Sequence, residues 1–335
     1  MKSYDIYGIG NALVDTEYEV ADDFIAATGF PKGMMTLIEE DERQQLLGRL
    51  ATEVSKPPTK TAGGGSAANT VVMATQLGSR TFYSCKVAAD AVGDFFVADL
   101  EAAGIDTNLT ADREPGATGQ CISLVTPDAE RTMTTCLGIT HFLSPGELNP
   151  DALRKSRRLY IEGYLVSSPT GFEAALEAQA IAQAAGVPVS LTLSDPAMAE
   201  HFKSNYEQLL DKGIDLLFCN LDEARLLTGS EDADDCAQKL TNICRSFTMT
   251  LGSDGSLSWD GETLHRLPGI PAKAVDTTGA GDIYAGAFLH VITQGGGFHE
   301  AAKLANLSAS LLVTRFGARL TQQDTTEMLD TLEKI

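Results

Sequence analysis

The chain has 335 residues, with 46 acidic and 25 basic side chains and a formal net charge of −21. That charge repels phosphate backbones and anionic membrane surfaces, which argues against nucleic-acid polymers and membranes as partners. With 43% hydrophobic and 21% charged residues, the composition is that of a folded protein, long enough for one large domain or one large and one small.

No apolar run approaches the roughly 18–20 residues that a membrane helix needs. The opening Met1-Lys2-Ser3-Tyr4-Asp5-Ile6 lacks the apolar core of a signal peptide, so a cytoplasmic location is expected. Cys85, Cys121, Cys136, Cys219, Cys236 and Cys244 form no Cys-x-x-Cys pair and read as reduced, buried thiols. The five histidines are scattered, with no metal-ligand spacing, which argues against a zinc or iron site.

In chain order, Tyr4 to Gly10 reads as a strand and Asp41 to Val54 as a helix with a capping aspartate. Lys56 to Lys60 reads as a loop leading into a glycine run. Ser66 to Leu77 reads as a helix stopped by Gly78, Thr81 to Val87 as a strand, and Asp90 to Ala103 as a helix closed by Gly104. The runs Arg158–Ile161, Val187–Leu191, Asp215–Cys219 and Phe247–Leu251 are short apolar strands with helical segments between them. Such an alternation predicts a mostly parallel sheet covered on both faces. Two stretches break the rhythm. Thr16 to Val20 alternates polar and apolar residues, and Gly119 to Cys136 reads as a hairpin around the turn 126–130. These pieces predict a small second sheet, and a sheet built from insertions is often a lid.

Five motifs could carry chemistry. Asp276-Thr277-Thr278-Gly279-Ala280-Gly281-Asp282 opens an apolar helix. Backbone N–H groups at a helix start hold an anion without a lysine, and a carboxylate beside them can take a proton from an attacking hydroxyl. Taken alone, Asp282 also reads as a capping residue in a glycine turn. Gly63-Gly64-Gly65-Ser66-Ala67-Ala68-Asn69 again precedes a helix. Its glycines allow close approach of a ligand, and the Asn69 amide could serve a polyol. Gly10-Asn11-Ala12-Leu13-Val14-Asp15 follows the first strand, where Asp15 could accept sugar hydroxyls. Asn220-Leu221-Asp222-Glu223 puts an amide and an acid on one helical face, able to hold a magnesium-bound water or simply to face solvent. Thr250 to Gly255 suits a tight turn against a nucleotide, or an ordinary turn between strands.

Other nucleotide signatures are missing. Gly8-Ile9-Gly10 fails as a dinucleotide fingerprint because Leu13 holds the third glycine position. There is no phosphate loop of the Gly-x-x-x-x-Gly-Lys type and no Gly-x-Ser-x-Gly elbow. From Pro268 to Gly281 the charged residues are Lys273 and Asp276, so the proposed anion site is locally neutral and relies on backbone dipoles.

Taken together and in this order, from about Tyr4 to Leu320, these motifs resemble the PfkB family of carbohydrate and nucleoside kinases. The stretches Gly8–Asp15, Glu130–Met133, Glu162-Gly163-Tyr164 and Leu191–Pro196 are most similar to bacterial-type adenosine kinases. The resemblance implies an α/β, ribokinase-like three-layer αβα fold with a mostly parallel central sheet and a small β-sheet lid. It implies a single kinase domain over 1–335, with lid segments at approximately 14–38 and 108–140.

The resemblance also implies roles. Asp282 would be the catalytic base, and the N–H groups of Gly279, Ala280 and Gly281 the anion hole. Asn11, Asp15, Gly64, Gly65 and Asn69 would hold the sugar, while Tyr164 would stack on a purine and Met133 would line its pocket. Tyr164 and Met133 also read as core residues. Arg131 would be a lid arginine reaching the phosphates. Asn220, Thr250, Gly252, Gly255 and Asn306 would bind ATP, and Glu223 with Asn220 would serve Mg²⁺ through water. The implied reaction is transfer of the γ-phosphoryl group of ATP to the 5′-hydroxyl of adenosine, with Mg²⁺ and a monovalent cation such as K⁺ as cofactors. Ribose, fructose, a keto-deoxy sugar acid, inosine and guanosine are the alternative acceptors. A non-catalytic sensor on the same fold would lack the base or the anion hole, and both are present here. Monomer and homodimer are both compatible with the sequence.

Overall fold

The computed structural model describes residues 2–54, 56–128 and 130–332. Met1, Ser55, Ala129 and residues 333–335 lie outside the described residues, so the expected turn 126–130 is described only in part. The strands are β1 (Tyr4–Ile9), β2 (Leu13–Glu19), β3 (Met35–Leu37), β4 (Lys60–Gly64), β5 (Thr81–Ser84), β6 (Asp106–Thr107), β7 (Gly119–Val125) and β8 (Arg131–Cys136). They continue with β9 (Ser156–Ile161), β10 (Val189–Thr192), β11 (Leu216–Asn220), β12 (Phe247–Thr250), β13 (Ser256–Trp259) and β14 (Leu264–Leu267).

The large sheet has the order β14-β13-β12-β11-β10-β9-β1-β5-β6. It is parallel from β6 through β12, and β13 and β14 add an antiparallel edge. Helix Ala280–Thr293 packs between Ser66–Gln76 and Phe298–Leu312 on one face, and Pro150–Arg154 and Pro169–Ala184 pack on the other. The result is the expected three-layer α/β arrangement. Strands buried on both faces are rich in apolar side chains, and Leu159, Ile161, Val189, Leu191, Leu216, Leu217, Phe247 and Met249 supply them.

The small sheet has the order β3-β8-β7-β2-β4. Its alternation sends Thr16, Ile122, Leu124, Thr132 and Thr134 inward, where Ile122 and Leu124 join a separate core with Phe24, Ile25, Leu46 and Leu50. The opposite face carries Asp15, Cys121, Met133 and Thr135. The two irregular stretches of the sequence therefore do pair with each other.

Several elements differ from expectation. Helix Glu40–Arg49 continues as a π turn, Leu50–Val54, and its cap is Glu39, not Asp41. The Glu42 carboxylate accepts from Glu39 N at 3.0 Å, which leaves Asp41 as an acid in the first turn. β5 ends at Ser84 instead of reaching Val87, because the Cys85 backbone pairs with the Asn108 side chain in place of a strand. Lys60, the last residue of the stretch read as a loop, starts strand β4, which takes in Gly63 and Gly64 and runs antiparallel to β2 with Leu13 opposite Gly64. β4 belongs to the small sheet yet lies outside the expected lid segments. All cysteines are free; Cys121 is half-buried and the others are buried. No helix among the described residues is long and apolar enough to cross a membrane.

Candidate active site

The carboxyl ends of the central strands open into a cavity of about 1000 Å³ that extends under the small sheet. Its wall among the described residues contains no Lys, Arg or His. It does contain Asp15, Glu162, Asp195, Asp222, Glu223 and Asp282.

Asp282 lies in the first turn of helix Ala280–Thr293. Its Oδ1 accepts from the Ser66 hydroxyl at 2.6 Å and its Oδ2 from Asn69 Nδ2 at 2.9 Å. Both partners project from the first turn of helix Ser66–Gln76, so two helix starts converge on one carboxylate. Burial pushes the Asp282 pKa up to about 6, while its two donors hold the ionised form. Gly279, Ala280 and Gly281 line the cavity beside it. Gly279 caps the helix at φ 77°, and a Cβ there would sit 2.7–2.8 Å from Ala318, so the turn requires glycine. First-turn N–H groups have no intrahelical acceptor, although Ala280 N already donates to Thr277 O at 3.1 Å.

Asp276 organises the loop before this helix. Its Oδ1 accepts from Thr278 N at 2.9 Å, and its Oδ2 accepts from Gly317 N at 2.9 Å and Arg131 Nη1 at 2.6 Å. Burial opposes its charge, yet these donors and the Arg131 guanidinium hold its pKa below the usual range. Arg131 also pairs with Glu17 and lies 5.7 Å from the centre of the Phe316 ring. It lines a smaller neighbouring cleft and not the main cavity; its partner Asp276 holds the loop whose Thr277 and Thr278 line that cavity.

At one end of the cavity stand Asn11, Asp15, Gly65 and Asn69. Burial raises the Asp15 pKa. Gly65 has φ 96° and its Cβ would lie 2.3 Å from Asn11 O, while Gly64 sits directly behind the Asp15 carboxylate. Tyr164 lines the same region from the 3₁₀ turn Gly163–Ser167, and Met133 lines it from the small sheet. Ser194, at φ 67°, supports that turn, since its hydroxyl accepts from Gly163 N at 2.9 Å. A serine in this conformation costs roughly 1–2 kcal/mol, a strain typical of sites.

At the other end are Asn220, Glu223, Thr250 and Gly252. Asn220 caps helix Leu221–Thr228, and the buried Glu223 carboxylate accepts from both Asn220 N and Nδ2 at 2.9 Å. Burial raises the Glu223 pKa to about 7. This pair is a capping box, so any metal contact runs through their remaining lone pairs and water. Gly255 and Asn306 do not line the cavity. Gly255 turns the edge hairpin at φ 101° and abuts Leu267 O. Asn306 is buried in helix Phe298–Leu312 with Nδ2 on Pro268 O at 3.4 Å.

Three residues carry roles that no motif predicted. Ser66 donates to Asp282 as described. Glu162, the acid after β9, is fully enclosed and accepts from Asn11 N and from Ala67 N at 3.4 Å. Burial raises its pKa to about 8. An acid directly after an apolar strand was the available signal. Arg319 donates to Asn69 Oδ1 at 2.7 Å and had no sequence signal.

Residues 34–325 match the model of the pfkB family carbohydrate kinases. The crystal structure of adenosine kinase from Sinorhizobium meliloti is 35% identical, with a TM-score of 0.86 over 98% of this chain and 99% of that one. Ribokinase from Mus musculus is 30% identical over 266 residues, 76% of this chain and 80% of the mouse protein. Adenosine kinase 2 from Arabidopsis thaliana is 25% identical over 342 residues, 94% of this chain and 96% of the plant protein. The chain thus belongs to the pfkB carbohydrate kinase family, whose members are phosphotransferases acting on hydroxyl acceptors.

Proposed function

We propose that this kinase transfers the γ-phosphoryl group of ATP to the 5′-hydroxyl of adenosine. The observation that carries the acceptor class is the wall of the acceptor end. Tyr164, Met35, Leu37, Cys121, Met133 and Leu137 present aromatic and apolar surface there. A purine covers such surface, whereas a free sugar leaves it bare. The absence of a basic side chain from the described wall disfavours a sugar acid.

Asp15, Asn11 and Asn69 hold the ribose hydroxyls, and Asp282 receives the 5′-hydroxyl proton. With its pKa raised to about 6, Asp282 is mostly ionised at pH 7 and close to the ideal range for a general base. The Gly279–Gly281 backbone and the helix dipole stabilise the charge on the transferring group. An acid-only wall fits a divalent cation. Mg²⁺, held through Asn220, Glu223 and water, supplies the positive charge that offsets the ATP phosphates. Thr250 and Gly252 support the nucleotide.

Chain 1–335 is read as one kinase domain whose small sheet acts as the lid, working in the cytoplasm as a monomer or homodimer. The ribokinase relative favours a sugar acceptor as the second reading. A panel of nucleosides and sugars with ATP and Mg²⁺, with and without KCl, separates the two. Adenosine is expected to give the highest kcat/KM, and failure to turn over any nucleoside sinks the adenosine reading. Activation by K⁺ belongs to the same proposal and is read in the same assay.

A further inference from the structure

Arg319 lies in the loop between helices Phe298–Leu312 and Gln322–Leu332, outside the motifs described above. Its side chain is 14% exposed, and it joins elements that are distant in sequence. Nη1 donates to Asp99 Oδ2 at 2.6 Å, on helix Ala91–Ala102, and Nε donates to Asn69 Oδ1 at 2.7 Å. Nη2 is fully buried without a hydrogen-bond partner among the described residues. Gly63 makes room for this arrangement, since a Cβ there would lie 2.2 Å from Asp99 Oδ2 and 2.9 Å from Arg319 Nη1.

A guanidinium has donors and no acceptor. The Asn69 atom that faces Nε is therefore the carbonyl oxygen, and the amide nitrogen turns to Asp282 Oδ2. We propose that Arg319 is a positioning residue for phosphoryl transfer, fixing the Asn69 amide so that it orients the Asp282 carboxylate toward the acceptor hydroxyl. Asp99 anchors the guanidinium from behind. The inference rests on Asp282 as the base.

Electrostatics point the same way. Burial pushes the carboxyls of Asp15 and Asp282 up, and the Arg319 charge pulls both back. Among the described residues, the other ionisable groups that act with Asp282 include Asp15, Glu162, Glu223, Tyr160 and Tyr164. None of these is a cation, so Arg319 opposes a uniformly acidic set.

The test compares Arg319→Met, Arg319→Lys and Asp282→Ala with the unmodified enzyme, using whichever acceptor that enzyme phosphorylates. Arg319→Met is expected to lower kcat about 10–100-fold while KM for ATP stays within about twofold. The acidic limb of its kcat/KM profile should move to higher pH, and Arg319→Lys should recover most of the kcat. An unchanged kcat and pH limb in Arg319→Met overturns the proposal. So does a loss of kcat with an unmoved limb and no recovery in Arg319→Lys. If Arg319→Met does not fold, Arg319→Gln takes its place, because it keeps an N–H for Asn69 and loses the charge; an unmoved limb there overturns the proposal equally. Near-normal turnover in Asp282→Ala removes the base assignment instead, which distinguishes the two failures.

Discussion

Arg131 Nη1 donates to Asp276 Oδ2 at 2.6 Å, which ties the small sheet to the loop that starts the Asp282 helix. The partners are 145 residues apart, and the Asp276 side chain is only 8% exposed. Breaking this tie should loosen the cover over the site more than it loosens the fold, since Gly317 N and Thr278 N still satisfy Asp276. Arg131→Met should lower kcat about 10-fold or more through lost positioning, with a small change in melting temperature. Steady-state kinetics and a thermal melt on the same sample check this.

Replacing Asp282 with Asn should abolish turnover, a loss of about 100-fold or more for removing a general base. The protein should melt no lower than the parent at pH 8. The sign follows from burial: a carboxyl whose pKa is raised to about 6 disfavours folding when ionised, and the amide removes that charge. A melt well below the parent's would show that Asp282 holds the two helix starts together.

Glu162 has its pKa raised to about 8 by burial, far above that of an exposed glutamate. Between the two values the unfolded chain has lost the proton that the folded chain keeps. Stability from this group is therefore fully present at about pH 4 and declines toward pH 8. Glu162→Gln should flatten the fall in melting temperature from about pH 5 to pH 8. Melts at four or five pH values measure the slope.

Gly64→Ala would put a methyl group 2.6 Å from the Asp15 carboxylate. The carboxylate must move, so KM for the acceptor should rise about 10-fold or more while KM for ATP holds. Equal effects on both substrates would indicate a general distortion instead.

Tyr164→Ala should raise KM for adenosine about 10-fold through loss of aromatic contact. It should leave any residual ribose phosphorylation unchanged. Tyr164→Phe keeps the ring and should behave like the parent enzyme.

Much of the site was legible because its motifs are local. A glycine turn before an apolar helix puts Gly279 and Asp282 at a helix start whatever surrounds them. The alternation of Cys121 to Val125 and Arg131 to Thr135 likewise encodes a half-buried hairpin, and the structure has one. Less legible were residues whose role depends on a partner far along the chain. Lys60–Gly64 has no strand pattern of its own and becomes β4 only because β2 lies beside it. Glu162 gains its part from Asn11, 151 residues away. Gly255 and Asn306 sit behind the cavity wall, a matter of depth that no periodicity encodes.

From the sequence by itself came the α/β layering, the extra small sheet, the acid-glycine helix start and the family. The first three follow from periodicity and turn chemistry, which act over a few residues, and the family follows from the resemblance that the local motifs carry. Only the tertiary structure decided which atoms face Asp282, that the described cavity wall holds acids and no basic side chain, and that Arg131 meets Asp276. It also decided that Arg319 reaches Asn69 across 250 residues. Those contacts are set by how packed layers bring distant segments together, and a lone arginine in a terminal loop carries no local sign of the partner it will find.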